Sequence, residues 1–241
     1  CPHIATSIVE TIKFILGKNV DFIAGSPIHA TSLLGGYSGA TPLFPDLEAF
    51  RMSSTLVPDS LRQDIMHRLT PNLYVAYGLT EIGSVAVAPP QSVAERPGIV
   101  GWVTDNITVE VVDEQGRPQP NGAPGELRLR SPGMLDGYLG EPEETASRFR
   151  DGWFYSGDRG VFADDGALIH LGRADDVIIY DGINIYPSAI ENALLENPAV
   201  AAAAVFAVDD KSHGAIPVAA VILSGETSRE RLIAETREKL G

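Results

Sequence analysis

Hydrophobic and polar positions divide the chain into segments of different periodicity. Ile4, Ile8, Ile12, Ile15 and Leu16 recur at helical spacing, which predicts an amphipathic helix over 4–16. Val20-Asp21-Phe22-Ile23-Ala24 reads as a short buried strand that runs into a Gly25-Ser26-Pro27 turn. Pro58 and Asp59 open a second helix to about Leu69, closed before Pro71 because the residue ahead of a proline avoids helical backbone. Asn72 to Ala76 is strand-like again. Strand and helix alternating in this way predict a parallel, doubly wound α/β sheet.

From Pro89 to Pro97 the chain reads as a loop, and beyond it the period falls to two. Thr108 to Asp113 alternates, Gly116 and Pro118 turn the chain, and Glu126 to Arg130 alternates again. Phe162 to Ile169 reads as a hairpin with Asp165-Gly166 at its tip. Short strands with regular turns predict a small antiparallel β-barrel subdomain. A third pattern begins near Gly172. Pro187 to Leu195 is helical, with Ala189, Ile190, Ala193 and Leu194 on one side; 200–208 and 217–223 are apolar strands joined by a turn over 209–214. Ser228 can cap a last helix carrying Leu232, Ile233, Thr236 and Leu240. The expected organisation is thus an α/β subdomain over 1–96, a β-barrel over 97–172, and an incomplete α+β domain over 173–241.

Composition narrows the partners. With 44% hydrophobic and 21% charged residues in 241, the chain is globular rather than disordered. A net charge of −14 argues against a nucleic-acid or anionic-membrane surface, which needs clustered Lys and Arg. A small nucleotide carried with Mg²⁺ remains compatible, since the metal offsets the ligand's charge. Cys1 is the single cysteine, so no internal disulfide is expected and a reducing compartment fits. The apolar run near Ile12 to Ile15 is too short to span a bilayer and no signal-peptide pattern opens the chain, so a cytoplasmic protein is expected.

Four blocks carry chemistry. Tyr77-Gly78-Leu79-Thr80-Glu81 sets an aromatic face, a hydroxyl and a carboxylate in consecutive reach after a strand and before Gly83-Ser84, a kit for a base, a phosphate oxygen and Mg²⁺. Asp158, after Ser156-Gly157, is placed either to accept hydrogen bonds from a vicinal diol such as ribose or simply to cap a turn. Arg173, two residues before Asp175, could reach ribose and phosphate, although taken alone the pair reads as a surface ion pair. The fourth block, Asp181 to Glu191, is by itself a turn into a helix.

In this order and spacing the blocks resemble the adenylate-forming superfamily of acyl- and aryl-CoA synthetases, peptide-synthetase adenylation domains and luciferases. Pro97-Gly98-Ile99-Val100-Gly101, and Gly125-Glu126-Leu127 with Gly133 and Gly137-Tyr138, resemble further segments of that family, and Ser156-Gly157-Asp158 is a conservative form of its usual Thr-Gly-Asp. The resemblance covers nearly the whole chain. It implies that ATP or AMP, Mg²⁺ and CoA or phosphopantetheine are the cofactors, and that a carboxylic acid and CoA or an acyl carrier protein are the partners. Tyr77 would stack on adenine beside Gly78, Thr80 would contact the α-phosphate, and Glu81 would hold Mg²⁺; Thr80 and Glu81 are the implied catalytic residues. Asp158 would bind the ribose hydroxyls, Arg173 the ribose or phosphate, Asp175 would be a hinge, and Gly182 would pack against the phosphopantetheine arm. Ser26 to Ala30 lies where the acyl pocket would be, with His29 otherwise a solvated loop histidine.

Two departures stand out. Ser53-Ser54-Thr55 replaces a Gly-Gly-Ala-like turn, and the lysine usual near Ile179 is missing. The family's Lys-bearing phosphate loop and its C-terminal Gly-Lys element are also not found, so the chain is expected to be the middle and rear of a longer ligase and to be inactive alone. The small walls Ile82-Gly83-Ser84-Val85 favour an apolar acyl or aryl acid. A non-catalytic nucleotide-binding module, or one piece of a complex completed by another chain, are the alternative readings.

Overall fold

The computed structural model describes residues 7–181, 183–210 and 214–240. The chain forms two compact units: Cys1–Val109 with Leu129–Phe154 and Ala163–Ile169, and Glu110–Arg128 with Tyr155–Phe162 and His170–Gly241. Ile4, Cys1 and Gly182 lie outside the described residues.

The first unit opens with α1 (Ile8–Gly17), β1 (Phe22–Gly25), α2 (Pro27–Gly35), β2 (Ala49–Met52), α3 (Asp59–Arg68), β3 (Leu73–Leu79), β4 (Gly83–Ala88), α4 (Pro90–Glu95) and β5 (Ile99–Val103). Strands β1, β2 and β3 are parallel neighbours, the parallel sheet that the helix–strand alternation predicts, with β2 an additional strand that the periodicity does not announce. β4 and β5 continue the order but run antiparallel, because the connection from β3 to β4 is far too short for a crossover. Phe50 and Met52 on β2 and Leu73 and Val75 on β3 occupy alternate positions and are buried, as are Ile65 on α3 and the following Leu69.

Two segments read as turn or loop are helical. α2 starts at Pro27, and α4 fills most of 89–97 from Pro90. In both, proline sits in the first turn, where its missing N–H is not needed and its fixed φ is already helical. Ser26 is the N-cap of α2, and His29 Nδ1 lies 3.2 Å from the Ser26 amide and 2.8 Å from its hydroxyl. His29 is therefore a helix-capping group rather than a loop histidine.

Arg62 joins α3 to the chain around it. Its side chain is 1% exposed; Nε donates to Val57 O at 2.9 Å and Nη1 to Ile99 O at 3.0 Å, with Asp59 Oδ1 3.5 Å away. Asp59 also accepts from the Gly98 amide at 3.2 Å. Burial pulls the guanidinium below its ordinary pKa, with Asp59 opposing. Arg62→Ala strands two buried carbonyls and leaves Asp59 without its cation, so a loss of about 3 kcal/mol is expected, read as a lower urea midpoint. An unchanged midpoint would show these bonds to be dispensable.

The middle of the chain adds β6 (Thr108–Val112), β7 (Gly125–Arg130), α5 (Pro142–Arg148), β8 (Phe149–Arg150), β9 (Trp153–Phe162) and β10 (Leu168–Arg173). In the first unit the start of β10 pairs with β5, and β8 with the start of β9. Asp165-Gly166 forms the expected hairpin tip, and Arg96 clasps Asp165 with two bonds of 2.6 and 3.2 Å. In the second unit the strands follow the order β10-β9-β7-β6. This is the expected antiparallel sheet, but its order is open: no pairing among the described residues closes it into a barrel.

The second unit ends in an α+β segment. β11 (Ile178–Tyr180), β12 (Ile183–Ile185), α6 (Pro187–Leu195), β13 (Val200–Asp210), β14 (Gly214–Leu223) and α7 (Arg229–Leu240) follow in turn. The four strands form an antiparallel sheet in the order β12-β11-β14-β13, over a core of Ile178, Leu194, Val200, Val205 and Leu232. Residues 211–213 of the expected turn lie outside the described residues. Ser228 caps α7 as expected, its hydroxyl accepting from Arg231 N at 3.2 Å. Among the described residues no helix is long and apolar enough to cross a membrane.

Candidate nucleotide site

The Tyr77–Glu81 block is the tip of the β3–β4 hairpin. β3 runs on through Leu79, three residues past the strand expected from Asn72 to Ala76, and Thr80 to Ile82 make the turn. The register shifts between Tyr77, opposite Ala86, and Gly78, opposite Ser84. Such a bulge re-aims the residues that follow it. A Cβ on Gly78 would sit 2.8 Å from Gly83 O, so only glycine permits the close approach of the two strands. Tyr77 is buried, Thr80 is exposed and Glu81 is half-buried.

Glu81 is held at two points. Its carbonyl accepts from Leu135 N at 3.0 Å, and its Oε1 accepts from the Tyr138 hydroxyl at 2.6 Å. Burial, followed by the bond to Glu81, pushes the Tyr138 phenol up to about 12. No cluster of His, Cys, Asp and Glu that could cage a metal occurs among the described residues. A single carboxylate with an oxygen to spare suits Mg²⁺, which keeps waters and takes most other ligands from substrate phosphates.

Beside this hairpin, Arg51 on the neighbouring strand β2 donates to Ser84 Oγ at 2.7 Å, placing a cation beside a wall that reads as wholly small and apolar. Ser54, in the Ser-Ser-Thr departure, adopts φ 87°. The left-handed backbone that a glycine would take there without strain is thus kept with a side chain present.

The second unit gathers Asp158, Arg173, Asp175 and His170. Ser156-Gly157-Asp158 is not a turn between strands but part of β9, with Gly157 at φ 73°. The Ser156 hydroxyl donates to Leu127 O at 2.8 Å and accepts from Asp158 N at 3.0 Å, and Glu126 accepts from Gly157 N at 3.3 Å. Asp158 is 4% exposed. Arg173 Nη1 lies 3.4 Å from Asp158 Oδ1 and donates to Ser156 O at 3.1 Å, while Nη2 reaches Asp175 Oδ2 at 3.4 Å. The Arg173–Asp175 pair is therefore one arm of a fork whose other arm meets a buried carboxylate. His170 Nδ1 accepts from Gly172 N at 3.1 Å, which leaves the proton on Nε2, 3.7 Å from Asp158.

His170 and Tyr138 were not singled out for roles by the sequence. Their signals are weak: Tyr138 lies in a Gly-Tyr pair within a resembling segment, and His170 falls two residues before the Gly172-Arg173 block. Tyr77, Gly78, Thr80 and Glu81 belong to the first unit; Asp158, Arg173 and Asp175 belong to the second. Gly182 lies outside the described residues.

The model of a family described as AMP-binding enzyme matches residues 7–139, and that of the AMP-binding enzyme C-terminal domain matches 189–241. A 2-succinylbenzoate–CoA ligase of Bacillus licheniformis is 34% identical over 235 residues, 97% of this chain and 45% of that protein. The mitochondrial acyl-coenzyme A synthetase ACSM4 of Mus musculus is 34% identical over 83% of this chain and 33% of its own length. Among solved structures, the amide bond synthetase McbA of Marinactinospora thermotolerans superposes with a TM-score of 0.88 at 28% identity, covering 98% of this chain and 49% of its own. The o-succinylbenzoate CoA synthetase of Bacillus subtilis, in complex with the acyl-adenylate OSB-AMP, gives 0.86 at 25% identity, over 99% and 49%. The chain thus spans a third to a half of the length of these relatives.

Proposed function

Because this chain belongs to the AMP-binding enzyme family, we propose that the protein carrying it joins a carboxylic acid to AMP and then to a thiol. In the first step a carboxylate oxygen bonds to the α-phosphorus of ATP and pyrophosphate leaves. In the second, the sulfur of CoA or of a carrier-protein phosphopantetheine attacks the acyl carbon and AMP leaves. The observation that carries the reading is Glu81, fixed at a hairpin tip through one oxygen while the other has no partner among the described residues.

Each residue takes one part of the ligand. Tyr77, set in β3 beside Gly78, supplies a fixed wall for adenine, and the exposed Thr80 hydroxyl is free to donate to the α-phosphate. Glu81 holds the cation; Mg²⁺ bound there with the nucleotide would offset the negative charge that builds on the phosphates. Asp158 accepts from the ribose hydroxyls, with Arg173 at the ribose or phosphate. Asp175 is the hinge and Gly182 the glycine beside the pantetheine arm. By the same reading 1–96 serve base, phosphate and acid, 97–172 the ribose, and 173–241 the second half-reaction. The names of the CoA-ligase relatives support CoA as the acceptor. The likeness to an amide bond synthetase makes an amine the second reading for that step.

Carboxylate-dependent exchange of pyrophosphate into ATP by the complete protein, run over a panel of acyl, aryl and amino acids, tests the first step. Exchange that follows one class of acid is the expected result. No exchange with any acid would leave a nucleotide-binding module without turnover. Product analysis with CoA, a carrier protein and simple amines then identifies the acceptor.

A further inference from the structure

We propose that Tyr138 is the positioning residue for Glu81, its phenol holding one carboxylate oxygen so that the other is presented to a divalent cation. The proposal rests on the reading of Glu81 as the cation's ligand. A glutamate at a hairpin tip has several rotamers open to it, and fixing one of them costs entropy that the metal would otherwise have to offset. Here the segment 135–138 does it in advance: Leu135 N anchors the Glu81 carbonyl at 3.0 Å and the Tyr138 hydroxyl anchors Oε1 at 2.6 Å. A bond to an ionised acceptor is stronger and more directional than a neutral one.

Tyr138 is itself firmly set. Its amide donates to Thr145 Oγ1 on α5 at 2.8 Å. Its ring stands edge-on to Phe149, with centroids 5.5 Å apart and planes at 72°, and Phe149 in turn lies 5.0 Å from Phe154. The residue before it, Gly137, passes so near Thr145 that a Cβ would fall 2.4 Å from its Cγ2. Glycine there lets the chain press onto α5 and brings the Tyr138 amide within reach of the hydroxyl. A chain of contacts thus runs from Thr145 through Tyr138 to the Glu81 carboxylate, which is 57 residues from Tyr138 in sequence. Hydrogen-bond partners of metal-ligating side chains behave in this way: they touch neither metal nor substrate, yet set the ligand's orientation.

The test uses the complete protein with Mn²⁺ as the probe and a non-hydrolysable ATP analogue, the free ion being read by electron paramagnetic resonance. Tyr138→Phe keeps the ring and its packing and removes only the donor. It is expected to weaken Mn²⁺ retention roughly tenfold, with the fold retained and the KM for the acid unchanged. Thr145→Val, which leaves the phenol but frees its backbone, is expected to act in the same direction by about twofold to threefold. Glu81→Gln serves as the reference. If it weakens Mn²⁺ retention while Tyr138→Phe changes nothing, the phenol merely braces the hairpin: the proposal falls and the reading of Glu81 stands. If Glu81→Gln itself leaves Mn²⁺ bound, the reading falls and the proposal with it. Should Tyr138→Phe fail to fold, Thr145→Val decides, and an unchanged Mn²⁺ affinity there overturns the proposal.

Discussion

Glu81→Gln in the complete protein is expected to slow acyl-AMP formation by roughly 10²–10³-fold, measured in a single turnover at saturating ATP and acid. The substitution is isosteric, and the amide oxygen can still accept from Tyr138, whose hydroxyl lies 2.6 Å from the native carboxylate. Leu135 N still meets the backbone carbonyl, so the hairpin tip loses no anchor and the fold should be retained. What is lost is the negative charge, and with it the attraction for Mg²⁺. The defect should therefore shrink as Mg²⁺ or Mn²⁺ is raised, because a weakened site fills by mass action. A change of less than threefold, with no dependence on the cation, would remove Glu81 from the machinery and favour the module without turnover.

What the chain's pattern reveals, and what it hides, follows from the range of the interactions involved. The parallel sheet is legible because β1 and β3 alternate with α1 and α3, although β2 and α2 between them leave no such signal, and Ser228 is legible as a cap because its partner is three residues away. Ambiguity arises where one local signal serves two structures. Proline after a serine or another proline marks a turn but equally fits a first helical turn, which is why the starts of α2 and α4 have the sequence pattern of a turn and a loop. Ser156 bonding to the Asp158 amide is turn chemistry, yet the sheet on either side holds that stretch in β9. The open strand order β10-β9-β7-β6 could not be told from a barrel by period alone, since alternation records only that one face is buried. Motif spacing singled out Glu81, Asp158 and Arg173; Tyr138 and His170 escaped it. Tyr138 is brought to Glu81, and Arg51 to Ser84, by pairings between distant elements that leave no local periodicity.

Asp158→Ala should lower kcat/KM for ATP by roughly 10²–10⁴-fold in the complete protein, since the proposed ribose contact consists of two charge-assisted hydrogen bonds, each worth about 1.5–3 kcal/mol. The carboxylate is well prepared for that task. It is 4% exposed, its charge is matched by Arg173 at 3.4 Å, and His170 Nε2 lies 3.7 Å from it. Those same neighbours create a confounding effect, because removing a buried carboxylate leaves Arg173 and His170 without their partner and could disturb β9 and β10 on its own. Deoxynucleotides separate the two contributions. With the native protein, 2′-deoxy-ATP and 3′-deoxy-ATP should each lose a large part of the rate, one hydroxyl at a time. With Asp158→Ala they should perform about as well as ATP, because the group that distinguishes them has gone. Coupling of this kind is the signature of direct contact, whereas a purely structural defect would slow all three nucleotides by the same factor and leave their ratios as in the native protein. That second pattern would move Asp158 from the ribose to the scaffold that holds Arg173.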